Sequence, residues 1–348
     1  MKVSFVSSQA ISQAMRYQMA RMQADLVTAN KEVVTFRVAD RGLALGARTG
    51  VAVSLHREID RLQGLTDSNQ VASSRLSSTQ MILNKVTENA QGLMSALTTA
   101  LSASPDGKIA QFEAQSFLSA MIGDLNRDLN GDHLFSGINT DVKPLADFTD
   151  PTSANRTAFE DAFVLRFGFA SNDALVSTIP KADMEDFIAN EVTPQFMGAG
   201  WEANWSNASD QLIVSRITLT ETAQTSVSAN IPAFRKLAMA SSMVTSMVGQ
   251  GMTRETEAVI LEKAVELIGD AITELANQQG YTGVVEQRVE RANERMSMQK
   301  DLMNRSILDL EGIDENEAAV RVNGLVAQIE LSYTLTSRMQ QLSLLKYL

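Results

Sequence analysis

Apolar residues recur at steps of three and four over long stretches at both ends of the 348-residue chain, which is the pattern of amphipathic helices. Residues 8–34 carry a thin stripe: Ile11, Met15, Met19 or Ala20, Met22, Leu26 and Val33. Methionine is flexible, so this face suits loose packing or a partner. Residues 36–50 contain three glycines, break the period and predict a connector. The clearest repeat follows. Leu62, Asn69, Leu76, Leu83, Ala90 and Leu97 stand seven apart, and Leu65, Ala72, Thr79, Val86, Leu93 and Ala100 repeat at an offset of three. That is about six heptads, or ~60 Å of helix. Asn and Thr in the seam, flanked by Ser and Gln rather than charge, fit a bundle better than a freestanding dimer. Ser104-Pro105-Asp106-Gly107 predicts a turn. Phe112, Phe117, Met121 or Leu118, Leu125 and Leu129 then predict a helix from Ile109 to Asn130, stopped by Asn130-Gly131.

After residue 137 the period becomes two. Phe163, Leu165, Phe167 and Phe169 alternate with Val164, Arg166 and Gly168, and Ile213, Ser215, Ile217 and Leu219 alternate similarly, which predicts two strands. Leu175–Ile179 reads as a short strand and Met184–Val192 as a short helix. From Pro232 the helical period returns, with one helix over 233–248 and a long one over about 254–306. The long one carries Leu261, Val265, Ile268, Ile272, Leu275, Val285, Val289, Ala292 and Met303, with an irregularity expected at Gly280 and Gly283. Leu308–Ile313 is a joint before the last helix. There Asp314 is the expected N-cap and Glu317 its capping-box partner. Val322, Leu325, Ile329, Ser332, Leu335, Met339, Leu342 and Leu345 form one stripe, and the chain ends on Leu344, Leu345, Tyr347 and Leu348. Free ends fray in water, so an apolar end predicts cover by another chain.

All six prolines lie between 105 and 232, and proline breaks helix interiors. The predicted fold class is therefore mainly α: long antiparallel helical arms from both termini with a small mixed α/β or β-rich inserted domain. The expected division is 1–40 pairing with 310–348, 41–137 plus 232–309 as bundle core, and 138–231 as insert. Leu62, Leu65, Leu76, Leu83, Val86, Leu93, Leu97, Leu261, Ile268 and Leu275 are the expected bundle core.

Composition narrows the function. Apolar residues make up 44% but aromatics only 5%, as in packed helices. There is no cysteine, hence no disulfide or thiolate metal site. The net charge of −11 is concentrated in residues 138–230, with thirteen acidic and five basic side chains, so no nucleic-acid partner is expected. No apolar run reaches a membrane span, and Met1–Gln9 lacks the apolar segment of a secretory signal. The two histidines, His56 and His133, stand alone, and Walker, Gly-x-Ser-x-Gly and His-Glu-x-x-His motifs are missing. Asp124-x-Asn126-x-Asp128 hints at a calcium loop, but Leu129 replaces its glycine and Phe135 its glutamate. The expectation is no enzyme, cofactor, metal or small-molecule substrate.

Several strings carry a resemblance. Gln287-Arg288-x-x-x-Ala292, Ile313-Asp-Glu-Asn-Glu317, and Gln328-Ile-Glu-Leu-Ser-Tyr333 through Leu342-Ser-Leu-Leu-Lys-Tyr-Leu348 resemble the flagellin family, as does the order of arm, insert, arm and apolar terminal helix. Within the family, Asp132-His-Leu-Phe-Ser-Gly-Ile-Asn-Thr-Asp141 with Pro144-Leu-Ala-Asp-Phe148 is similar to the members that join hook to filament. One departure concerns Thr35-Phe36-Arg37, where the family often has Thr-Gly-Arg: glycine permits positive φ, and Phe36 is expected not to adopt it. The resemblance implies an extracellular structural part of the bacterial flagellum, exported through the flagellum's type III channel without a cleaved signal. It would form a ring, contacting copies of itself, a hook-side junction protein and flagellin, after release from an export chaperone on its C-terminal helix. No membrane partner is implied. Terminal helices pairing only on assembly would bury Ile11, Met15, Met22, Leu26, Val322, Leu325, Ile329, Leu335, Met339, Leu342 and Leu345. The alternatives are the filament subunit itself and a cytoplasmic coiled-coil adaptor.

Overall fold

Helices account for most of the chain, as the periodicity requires. The computed structural model describes residues 8–103 and 107–344. Helix α1 spans Ser8–Thr35, a short α2 Arg41–Leu45, α3 Thr49–Ala103, α4 Gly107–Leu125, α5 Ala154–Phe167, α6 Lys181–Phe187, α7 Thr193–Met197, α8 Pro232–Met247, α9 Arg254–Glu311 and α10 Glu315–Leu344. Two short antiparallel hairpins complete it: β1 (Asp128–Leu129) with β2 (Asp132–His133), and β3 (Val214–Arg216) with β4 (Thr222–Gln224). The chain divides into two compact units, residues 1–64 with 295–348 and residues 65–294. The turn expected at Ser104–Asp106 lies outside the described residues.

In the second unit the heptad positions Leu76, Leu83, Val86, Leu93 and Leu97 are buried, as are Leu261, Ile268 and Leu275 on α9, while Leu65 is half-buried. Leu62, in the first unit, is 1% exposed. Helix α8 is buried on nearly every side, from Ala233 to Met247, which places it at the centre of this core. Its Lys236 reaches Glu274 at 2.8 Å and Asp270 at 3.1 Å. The Glu274 bond, more than the Asp270 bond, holds this ammonium above the ordinary lysine range against the opposing cost of burial.

Four expectations fail, each for a local reason. Residues 163–169 are not a strand. Phe159, Phe163 and Phe167 lie four apart on α5, and Phe163 meets Phe187 edge-on at 5.6 Å. The alternating run was also compatible with a helical period, and the longer aromatic stripe decides it. Leu175–Ile179 is a tight helical turn over Ala174–Thr178, capped by Asp173. Helix α4 ends at Leu125 rather than Asn130. Asn130 (φ 58°) and Gly131 (φ 94°) form the two-residue turn between β1 and β2, a geometry that Asn-Gly favours. Gly280 and Gly283 do not interrupt α9, which is continuous to Glu311. A glycine costs a helix only about 1 kcal/mol relative to alanine, which the packing of Leu275, Val285 and Val289 outweighs. The strand expected at 213–219 is present but shorter.

The insert does not pack as an isolated lobe. Phe148, Trp205 and Trp201 stack in sequence at 5.2 and 5.5 Å, and they belong to the same buried cluster as Leu83, Phe135 and Phe234. The Leu134–Thr140 string is the knot that ties it down. Phe135 meets the Phe234 edge at 5.7 Å, and Ser136 Oγ donates to the Val142 carbonyl. The Ser209 N–H donates to Ser136, the Ile138 N–H to Gln211, and the Ala229 N–H to Phe135. Pro144–Ala146 runs beside Trp205–Asn207 through two more backbone bonds. Hairpin β3–β4 returns to the long helices: Ile217 is fully buried with Leu76, Val285, Val289 and Ala292, and Asn69 Nδ2 donates to the Ile217 carbonyl at 2.9 Å.

Candidate assembly surface

Helix α10 begins where the sequence places it. Asp314 Oδ1 accepts from the N–H groups of Asn316 and Glu317 at 2.8 and 3.2 Å, satisfying two of the unpaired donors at the helix start. The capping box is only half made, because Glu317 turns forward to Arg321 at 3.0 Å. Helix α10 then packs against α1 within the same chain. Three contacts set an antiparallel register: Glu32 with Arg321 at 3.2 Å, Gln23 Nε2 with the Tyr333 hydroxyl at 3.0 Å, and the Thr336 hydroxyl on the Met15 sulfur. The resemblance implied pairing only on assembly. In the structure the pair forms in one chain, because the roots of both helices are already joined.

The seam is narrow. Met22 and Ala29 of α1, and Ala318 and Ile329 of α10, are buried. Ile11, Met15, Leu26, Val322 and Leu325 are half-buried. Leu335 departs from the expected stripe: it is 52% exposed, and Thr336 takes the seam position instead. The side chains of Met339 and Leu342, and residue Leu345, lie outside the described residues. A second apolar face was missed. On α10, Val320, Leu331 and Leu335 are exposed, joined by Gly324 and Ala327 at steps of three and four, about half a turn from the seam. On α1, Tyr17, Val27 and Val34 are exposed likewise. The signal was in the sequence, since both helices carry apolar residues on two faces.

The joint is closed by a buried ion cluster. Glu311, the last residue of α9, is 0% exposed. Its carboxylate meets His56 Nε2 at 3.2 Å, Arg41 Nε at 3.2 Å and Arg37 Nη1 at 3.6 Å. The backbone is zipped beside it. Arg37 bridges Gly312, the Val38 N–H donates to Glu311 at 2.9 Å, and the Ile313 N–H donates to Phe36 at 3.3 Å. Phe36 does adopt positive φ, 53°, contrary to expectation; these bonds hold it in a region that bulky residues avoid. A carboxylate at a helix C-terminus opposes the helix dipole, and this was the sequence signal that Glu311 needed cations.

The chemistry-bearing residues have structural partners. His133 Nδ1 lies 2.9 Å from the Asn126 carbonyl. Asp124 is buried with Lys85 and Arg127, while Asn126 holds the backbone of Leu145 at both its N–H and its carbonyl, so these residues are not arranged around an ion. Among the described residues no group of three His, Asp or Glu could hold a metal, and no helix is long and apolar enough to cross a membrane. In the polar cleft lined by Gln111, Glu160 and Thr245, Arg156 Nε pairs with Glu160 at 2.8 Å and Gln111 Nε2 with the Thr245 carbonyl at 2.8 Å.

Two family profiles match the chain. The bacterial flagellin N-terminal helical region covers residues 6–140, and the bacterial flagellin C-terminal helical region covers residues 265–348, together more than half of the sequence. The chain belongs to the flagellin family. It is a structural component of the flagellum, with both family regions built from the helices described above. A solved structure from Vibrio parahaemolyticus, described as a flagellar hook-associated protein, shares the fold with a TM-score of 0.52 at 12% identity, covering 76% of this chain and 97% of that one. No curated protein matches the sequence significantly.

Proposed function

We propose that this flagellin-family chain forms the ring between the hook and the filament, contacting a hook-side junction protein on one side and flagellin on the other. The observation that carries an assembly role is the second apolar face of the terminal pair: Val320, Leu331 and Leu335 with Tyr17, Val27 and Val34, all exposed in the single chain. Burying a large apolar side chain contributes about 1.5–3 kcal/mol, so a neighbouring copy seated there gains substantially. What favours the junction over the filament is the Leu134–Thr140 string and the likeness to the Vibrio protein described as hook-associated. The sequence-level picture of export through the flagellum's own channel, with a chaperone over α10 beforehand, accompanies this reading.

The second reading is the filament subunit itself, because both matched profiles are those of flagellin. Electron microscopy of a deletion strain separates the two. Bare hooks, with flagellin released into the medium as monomers, support the junction role. Loss of the filament protein itself supports the filament role. Intact filaments on normal hooks overturn both.

A further inference from the structure

We infer that residues 36–41 and 311–313 form a coupled double hinge, latched by Glu311, so that α1 and α10 order and swing as one body. The two connectors lie some 270 positions apart in sequence, yet each holds the other. The Val38 N–H reaches Glu311, the Ile313 N–H reaches Phe36, and Arg37 bridges Gly312. Two helices joined at their roots in this way make a helical hairpin whose turn is non-covalent. Neither connector can bend without parting these bonds, so the two helices share any rotation.

The side chains mark the hinge as a latch. Glu311 is fully buried and draws on three elements: Arg37 from the connector, Arg41 from α2 and His56 from α3. A buried charge left without partners is strongly unfavourable, so Glu311 is stable in place only when α1's connector is seated. Arg37 and Arg41 are a third to a half exposed, so the latch opens from the surface. Gly312 is required by the close turn, because a Cβ there would collide with the Leu308 carbonyl oxygen. Glu32 at the base of α1 adds a second tie: one carboxylate oxygen accepts from the Ala39 N–H at 3.1 Å and the other meets Arg321 of α10 at 3.2 Å. The helices therefore close root-first, from the latch outward along the Met22–Ile329 seam.

Hydrogen exchange by mass spectrometry on the purified full chain tests this without any flagellum, so it stands apart from the junction reading. Glu311→Gln keeps shape and removes charge. Exchange in residues 8–35 and 315–344 should accelerate together by about tenfold or more, with residues 65–100 and 254–294 unchanged. Arg41→Gln removes one surface partner and should move both helices together by a smaller factor. It carries the test if Glu311→Gln fails to fold. Gly312→Ala should give the same paired signature without touching a charge. Acceleration in only one helix, no change in either, or full exchange of both helices already in the unaltered chain would overturn the coupling.

Discussion

Gly137 lies at the most crowded point of the knot that ties the insert to the bundle. Its φ is +63°, and a Cβ there would collide with the Ser209 carbonyl oxygen and sit 2.6 Å from that of Gln211. Gly137→Ala therefore combines two costs. Holding an L-residue in the left-handed region costs about 1–2 kcal/mol. Relieving the collision moves the strand segments apart and weakens the bonds from Ser209 N–H to Ser136 and from Ile138 N–H to Gln211, both 3.0 Å, each worth about 0.5–1.5 kcal/mol net. The expected loss is roughly 2–5 kcal/mol. Gly131→Ala is the internal control. Its φ is also positive, +94°, but nothing lies within 4 Å of the added atom, so only the conformational cost applies. Urea titrations followed by the near-ultraviolet signal of the stacked Trp201 and Trp205 measure both variants. Equal destabilisation by the two alanines would refute the claim that crowding at Ser209 and Gln211 makes Gly137 necessary.

Asn69→Leu leaves the Ile217 carbonyl and Asn293 without their buried donor and should cost about 1–3 kcal/mol, with faster exchange of β3–β4 as the local sign. Lys236→Met should destabilise near neutral pH. Because the folded lysine titrates above its ordinary range, mainly through Glu274, its contribution is complete below about pH 10.4 and fades as pH rises through the folded value. Melting curves of both proteins should therefore converge at strongly alkaline pH and stay apart from pH 7 to 9. Leu331→Asp lies on the exposed face of α10. It should leave monomer helicity unchanged by circular dichroism while blocking incorporation into sheared flagella, and normal incorporation would count against that face as a contact.

Period and punctuation made the long helices legible. Seven-residue spacing from Leu62 to Leu97 needs only local information, and Asp314 announces a helix start by its own chemistry. The insert was harder, because Phe163, Leu165, Phe167 and Phe169 satisfy a period of two while Phe159, Phe163 and Phe167 satisfy a period of four. Only the packing of Phe163 on Phe187 decides between them. Asn130-Gly131 ends a helix or turns a hairpin equally well, and the pairing of Asp128 with His133 is what selects the hairpin. The joint was least legible. His56 and Glu311 are 255 positions apart, and nothing in the residues around either names the other. Phe36 was misjudged for the same reason: its backbone strain is offset by bonds to a segment at the far end of the chain.

The way the insert is laced into the bundle has a practical corollary for labelling. Residues 134–148 and 205–230 thread among one another and the long helices, so foreign peptide placed in either would unpick the return path. The bend after α5 is different: Ser171 and Asn172 are partly and fully open to solvent, in a short turn closed by the Asp173 N–H on the Ala170 carbonyl. An epitope or dye-binding tag belongs there, where exposed turns accommodate extra residues and the subunit could be followed in living cells.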